Sequence, residues 1–195
     1  MRKLIAITQV SLDGVMQGPG GPEEDPSNGF TQGGWFMRYA DASLKAVLDE
    51  TMAGDFDLLL GRRTYDIWTA YWPLQPDADP IAKAFNKAVK YVITHRPEGL
   101  SWAQSKAIGS DVVEGVRSLK ASAGPEIHTW GSSQALQPLI AAGLIDEYRF
   151  WVTPLVLGHG KRRFEEGLPV AKLNLVDSKR ATTGLLINTY RPIGV

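Results

Sequence analysis

The segment Asp57-Leu-Leu-Leu-Gly-Arg-Arg-Thr-Tyr65 reads as a strand-to-helix anion site. An apolar strand runs into a glycine, which lets the backbone turn tightly. A helix that starts there aims its unpaired N–H groups and the positive end of its dipole at the turn. Gly61 supplies the turn, Arg62 and Arg63 add charge, and Thr64 adds a hydroxyl donor, so a phosphorylated ligand is the first expectation. Most arginines are simply solvated; their place directly behind a glycine-terminated apolar strand favours phosphate binding here.

The elements that must position this turn alternate. Short apolar, partly β-branched runs at 3–8, 57–60, 90–94 and 126–130 predict strands. Helical patterns fall at 41–53, 62–69, 80–87, 111–121 and 133–142, with Asp111 as a first-turn acid and Gly143 as a C-terminal cap. Such alternation implies parallel strands with helices on both faces. Beyond Gly143 the texture changes: 147–153, 173–181 and 185–191 read as longer strands, and Thr182-Thr-Gly184 suggests an antiparallel hairpin. The expected fold is therefore α/β, with a mixed sheet that is mostly parallel and ends in antiparallel strands. The 195 residues are read as a single domain, 1–195. Gly18-Pro-Gly-Gly-Pro-Glu-Glu-Asp-Pro26 can be neither helix nor central strand and is expected to be a functional loop such as a lid.

Four parallel strands deliver their C-terminal ends to one edge of the sheet, where open α/β folds bind ligands. The sequences found there are Ser11-Leu-Asp-Gly-Val-Met16, Gly61-Arg-Arg-Thr64, His95-Arg-Pro97 and Gly131-Ser-Ser133. Arginines at two ends and glycine with hydroxyls at two suit separated phosphates, as in an adenine dinucleotide with an extra 2′-phosphate. Gly131-Ser-Ser133 also suits a helix N-cap, which uses the same orphan donors; His95 and Arg96 equally suit a turn before Pro97.

Composition excludes several classes. With 21 basic and 21 acidic residues, no global field draws the chain to nucleic acid or an anionic membrane. No cysteine is present, and the three histidines lack metal-motif spacing, so neither a disulfide nor a metal is expected. His128 reads as a core residue and His159 as a loop residue. No long apolar segment is apparent, so a soluble cytoplasmic protein is expected. Trp68, Tyr71 and Trp72 read as core or interface, with a stacking platform as the minority alternative. Apolar content around Phe150, Trp151 and Val152 suggests a homodimer.

Five fragments in one order resemble the dihydrofolate reductase-like superfamily, and more closely the reductase domain of the bifunctional riboflavin-biosynthesis deaminase/reductase and its stand-alone relatives. They are Ser11-Leu-Asp-Gly14, Leu59-Leu-Gly-Arg-Arg-Thr-Tyr65, Tyr91-Val-Ile-Thr-His-Arg96, Gly131-Ser-Ser-Gln-Ala-Leu136, and Gly143-Leu-Ile-Asp-Glu147 with Pro154-Leu-Val-Leu-Gly-His-Gly160. The resemblance implies a reductase that moves hydride from NADPH to a small heterocyclic substrate. It implies Arg62 with Thr94, His95 or Arg96 at the 2′-phosphate, and Gly61 and Thr64 with Gly131, Ser132 and Ser133 at the pyrophosphate. Gln9 and the loop holding Asp13 would border the nicotinamide. Relatives carry a glycine pair after the fourth strand, where this chain has Trp130 before Gly131. Asp41, six residues beyond Trp35, is the positional candidate for a proton donor. It also sits where an N-cap would, and the cap reading is preferred. Lys161-Arg-Arg-Phe164 reads as a solvated face, although a substrate phosphate, as in the riboflavin pathway, would need such charge. Dihydrofolate reduction, a nucleotide-binding module without turnover and a phosphate-sugar binder are the alternatives.

Overall fold

A computed structural model describes residues 1–193. The elements in chain order are β1 (Leu4–Ser11), α1 (Ala42–Met52), β2 (Phe56–Gly61), α2 (Arg62–Thr69), α3 (Pro80–Lys87), β3 (Lys90–Ile93), β4 (Ser105–Ile108), α4 (Val112–Ala121), β5 (Glu126–Trp130), α5 (Ser133–Ala141), β6 (Glu147–Thr153), β7 (Leu173–Arg180) and β8 (Leu186–Pro192). They build one eight-stranded sheet in the order β4-β3-β2-β5-β1-β6-β8-β7. Strands β1 to β6 run parallel, while β8 pairs antiparallel with β6 and β7 antiparallel with β8. The mixed sheet expected from the sequence is the one observed.

Side chains alternate across each strand, so the sheet carries two cores. On one face Ile5, Ile7, Leu58, Leu60, Trp130 and Trp151 pack with α1 and α3 through Leu44 and Phe85. On the other, Leu4, Ala6, Leu59 and Ile127 pack with α4 and α5 through Val116, Leu136 and Leu139. Gly143 closes α5 as expected, at φ +64°, with its N–H on Ile140 and that of Leu144 on Leu139. Asp111 is the N-cap of α4, one place before the first turn, and accepts from the Glu114 N–H at 3.0 Å.

Three expectations need correction. Strand β1 runs to Ser11, because Gln9, Val10 and Ser11 continue the ladder opposite Trp151, Val152 and Thr153 of β6. Strand β4 was not legible: at the sheet edge it buries only Ile108 and shows no apolar alternation. Phe150 and Trp151, read as exposed interface residues, are buried in the two cores. The exposed apolar side chains of these end strands include Leu175 and Val176 on β7 and Leu186 on β8. Among the described residues no helix is long and apolar enough to cross a membrane.

Two buried polar groups brace the sheet. The Arg2 guanidinium pairs with Asp57 at the start of β2 and donates to the Pro125 carbonyl at 2.6 Å, tying the chain's first residues to β2 and β5. Both partners are buried. Removing one strands the other's charge, which costs about 3–5 kcal/mol; Asp57→Ala is expected to lower unfolding free energy by about that amount in urea titrations.

His128 on β5 lies flat on Phe56, with ring centroids 4.4 Å apart. Neither ring nitrogen has a partner among the described residues, and Glu126 at 3.7 Å is too far for a hydrogen bond. Burial, helped by the charge of Arg149, pushes its pKa down to about 4. An unfolded imidazole titrates near ~6.5. Between those values the unfolded chain binds the proton and the folded one does not, so the stabilisation is full above the upper value and lost as pH falls. The expected slope is about 1.4 kcal/mol per pH unit across that window, and His128→Leu should flatten it in denaturant titrations taken from pH 7 to pH 4.

Candidate functional site

Strands β2 and β5 are neighbours in the sheet, so α2 and α5 begin side by side at its C-terminal edge. One hydroxyl joins them. Ser132 Oγ accepts the Gly61 N–H at 2.8 Å and donates to Thr64 Oγ1 at 2.9 Å. To reach there the chain turns through Gly131 at φ +74° and Ser132 at φ +60°, two successive left-handed residues, the second of them strained for a side chain. The approach leaves no room at Gly61, where a Cβ would lie 2.9 Å from the Ala135 Cβ and 3.1 Å from Ser132 Oγ.

The two arginines diverge. Arg62 Nε binds Asp66 at 2.8 Å, and its Nη1 donates to the carbonyls of Arg96 and Glu98 at 2.7 and 3.2 Å. It thereby ties α2 to the turn after β3, which Thr94 Oγ1 shapes by accepting the Arg96 N–H at 3.0 Å. Arg63 instead reaches Asp25 in the Gly-Pro loop, and Lys161 Nζ meets the same carboxylate at 2.6 Å. Burial works to raise the Asp25 carboxyl, but hydrogen bonds from Lys161 and Ser27 outweigh it and hold it below the ordinary range. Gln17 fastens the loop further: its Nε2 donates to the Asp25 and Ser27 carbonyls, both at 2.9 Å, and its Oε1 accepts the Lys161 N–H at 3.0 Å. The segment expected to be a lid is a strap pinned at both ends.

These parts face one cavity of about 1330 Å³. Its polar walls are Gly61 to Thr64, Gly131 to Ala135 and the strap. Its apolar walls come from α1, α3, the turns at Phe36–Tyr39 and Trp72–Leu74 and the strand ends: Phe36, Leu48, Trp72, Phe85, Trp130 and Trp151, with Gln9 among them. Trp68 stacks on Phe85 at 4.7 Å between centroids, and Trp68, Tyr71 and Trp72 also line the cavity, so the aromatic cluster is core and wall together.

Of the residues singled out from sequence, Gln9, Asp41, Gly61, Arg62, Arg63, Thr64, Gly131, Ser132 and Ser133 line this cavity. Thr94, His95 and Arg96 lie outside its lining, linked to it through Arg62. Asp13 is also outside. Its carboxylate accepts from Ser11 Oγ and from the Leu157 and Gly158 N–H groups at 2.7, 3.1 and 2.9 Å. Burial opposes these bonds and they prevail, bringing its pKa down to about 2. Asp13 staples the loop after β1 to the loop after β6.

Asp41 caps α1. One oxygen accepts from Ser43 Oγ at 2.6 Å and the Leu44 N–H at 2.8 Å, and the other accepts from Thr182 Oγ1. The Ser43 and Thr182 hydroxyls hold the carboxyl well below the usual range, opposite to the shift that a proton donor requires. Trp130 and Trp151 were missed as cavity walls. Their signal was the register: Trp130 pairs with Ile7 and Trp151 with Gln9, so three neighbouring strand ends turn these side chains to one face.

Fold and site together define a protein of dihydrofolate reductase-like fold with one large cavity at the C-terminal edge of its parallel strands. The chain belongs to the RibD C-terminal domain family, which it matches over residues 2–187. A relative from Bacillus subtilis (strain 168), the uncharacterized protein YyaP, is 28% identical, covering 97% of this chain and 94% of its own. Among solved structures, dihydrofolate reductase from Enterococcus faecalis complexed with NADP(H) and RAB-propyl is similar at TM-score 0.63 and 15% identity, over 97% of this chain and 96% of that one. A pyrimidine reductase-like protein from Corynebacterium diphtheriae is similar at TM-score 0.62 and 12% identity, over 100% and 93%.

The contact at Gly61 tests the site's construction. Forcing a methyl group against α5 costs about 1–3 kcal/mol. Gly61→Ala is expected to lose that much in urea titrations, whereas Gly54→Ala, with nothing within 4 Å of the added carbon, should stay near wild type.

Proposed function

We propose that this chain is an NADPH-dependent reductase of a small heterocyclic substrate, of the riboflavin-biosynthesis reductase type, acting as a single domain in the cytoplasm. The observation that carries the reading is the paired start of α2 and α5, joined by Ser132 and opening with Arg62 and Arg63 onto one large cavity. Two adjacent helix N-termini, with Gly61 leading into one and Gly131 into the other, fit a pyrophosphate, because backbone N–H groups approach it without a Cβ in the way. Arg62, already oriented by Asp66, the Arg96 turn and Thr94 behind it, fits a 2′-phosphate, with His95 and Arg96 on the exposed rim of the same turn. When bound, the dihydronicotinamide supplies the hydride. The residues of this chain orient the two ligands, and the strap from Gly18 to Pro26 keeps water from them.

The second reading, a nucleotide-binding module without turnover, is favoured by one observation: Asp41 is occupied as a cap and held ionised. The same observation weighs against dihydrofolate reduction, which asks for a free carboxylic acid. If the chain turns over, the proton comes from elsewhere than Asp41, and Asp41→Asn should lower stability while leaving any NADPH oxidation rate in place. A homodimer through β7 and β8 belongs to the same proposal, supported by the exposed Leu175 and Leu186, and light scattering reads it directly.

Calorimetric titration with NADPH and NADH tests the cofactor. A charged hydrogen bond to phosphate contributes about 1.5–3 kcal/mol, so NADPH is expected to bind at least about tenfold tighter than NADH. Arg62→Ala should erase that preference and leave NADH unchanged. No binding of either cofactor would sink the reductase reading.

A further inference from the structure

We infer that Arg163 is a positioning residue for a pyrophosphate at the paired helix starts: buried behind the turn into α5, it holds the Gly131 carbonyl, turns the next N–H toward the ligand and adds a charge that water does not screen. This rests on the proposed dinucleotide reading and deepens it, since that reading drew its charge from Arg62 and Arg63 alone.

The run Lys161-Arg-Arg-Phe164, expected as a solvated face, divides residue by residue. Lys161 is held by Asp25 and Arg162 by Asp13. Arg163 turns inward and is 2% exposed. Its Nη1 donates to the Gly131 carbonyl at 3.3 Å, while Nε and Nη2 meet no partner among the described residues. No carboxylate among them therefore neutralises it. Burial pushes its pKa down to about 10, which still leaves it a cation at neutral pH. Arginine is almost never fully buried unless paired, because an unpaired charge forfeits its hydration.

Its placement is fixed by its own backbone. The Arg163 N–H donates to the Gly14 carbonyl at 3.3 Å, and its carbonyl accepts from Gln137 Nε2 at 3.0 Å. Gln137 belongs to α5, and the same Nε2 donates to the Ser133 carbonyl at 2.8 Å in that helix's first turn. The guanidinium is thereby registered against the start of α5. It borders a second, smaller cavity beside Val10, Phe150 and Phe164 and is absent from the lining of the large one, which Gly131 and Ser132 do line. Arg163 and the proposed ligand thus lie on opposite sides of one peptide.

That peptide transmits both effects. In a trans peptide the C=O and N–H point opposite ways, so a carbonyl turned to Arg163 turns the Ser132 N–H away from it, toward the large cavity. Ser132 is the N-cap residue of α5, and its N–H joins the orphan N–H groups of the first turn there. The left-handed pair Gly131 and Ser132 is a conformation that needs such an outside hold. A positive charge one peptide away, shielded from water and salt, attracts an anion more strongly than an exposed arginine does.

The test is calorimetry with NADPH and NADH on Arg163→Met, which suits the apolar surroundings and removes the charge. Both cofactors are expected to bind about tenfold more weakly, with the ratio between them kept, because both carry the pyrophosphate. The melting temperature of Arg163→Met should stay at or above wild type, since an unpaired buried charge does not stabilise the fold. Arg163→Lys keeps a charge and should bind both cofactors within about threefold of wild type. Wild-type affinity in Arg163→Met, a fall confined to NADPH, or an Arg163→Lys as weak as Arg163→Met overturns the inference while the reductase reading stands. If Arg163→Met does not melt cooperatively, Arg163→Gln takes its place, keeping a donor for Gly131 without the charge; equal NADH affinity in the Gln and Lys variants then overturns the inference. A wild-type chain that binds neither cofactor overturns both readings.

Discussion

The site depends on how closely α5 comes down on the end of β2. Gly61 makes that approach possible by having no side chain, and Ser132 makes it specific by satisfying the Gly61 N–H and Thr64 with one hydroxyl. The left-handed turn through Gly131 and Ser132 is the conformational cost of bringing that hydroxyl there. With the two helices locked together, the orphan N–H groups of both point to one place. Neither helix alone would make so concentrated a donor surface.

The rest of the molecule organises around that edge. The parallel strands fill both faces with apolar side chains as far as their C-terminal ends and then change character: Gln9, Trp130 and Trp151 line a cavity where Ile5, Ile7 and Ile127 lie in the cores. The cavity exists because the connection from β1 to β2 must travel outward through the strap and the turn at Phe36–Tyr39 before α1 returns to the sheet. Asp25, gripped by Arg63 and Lys161, fastens the strap to the polar end at the start of α2, and the Trp35 indole fastens it to the apolar end through the Gln17 carbonyl at 2.8 Å. A ligand spanning the cavity would thus touch both anchors of the same loop.

Charge follows the same division. Arg62, Arg63 and Lys161 gather at the start of α2 and around Asp25 of the strap, while the aspartates of the aromatic half are engaged as helix caps. Capping is the reason for the contrast. The acids nearest the aromatic half, Asp41 and Asp79, satisfy helix N-termini, as nearby orphan N–H groups make them do. A carboxylate engaged in that way is kept ionised and is poorly suited to delivering a proton, which separates this site from one built around a free acid.

Local physics was legible from the chain alone. Alternating short apolar runs and helical patterns implied the parallel sheet, Gly143 implied the end of α5, and the glycine followed by arginines and threonine implied the anion-facing turn. The sheet, the end of α5 and the strand-to-helix turn at Gly61 are each decided within a few residues by periodicity, by φ or by a cap, while the anion at that turn belongs to the proposal. What needed the tertiary structure was decided by partners far along the chain. Arg63 faces the strap, 38 residues away, while Arg62 faces the turn after β3, although the two are adjacent in sequence. Asp13 staples two loops 144 residues apart and lies outside the cavity lining. Strand β4 forms because β3 offers it an edge. Sequence determines what a segment can offer locally; only packing decides which donor, charge or ring it meets, because those meetings are set by strand order and register.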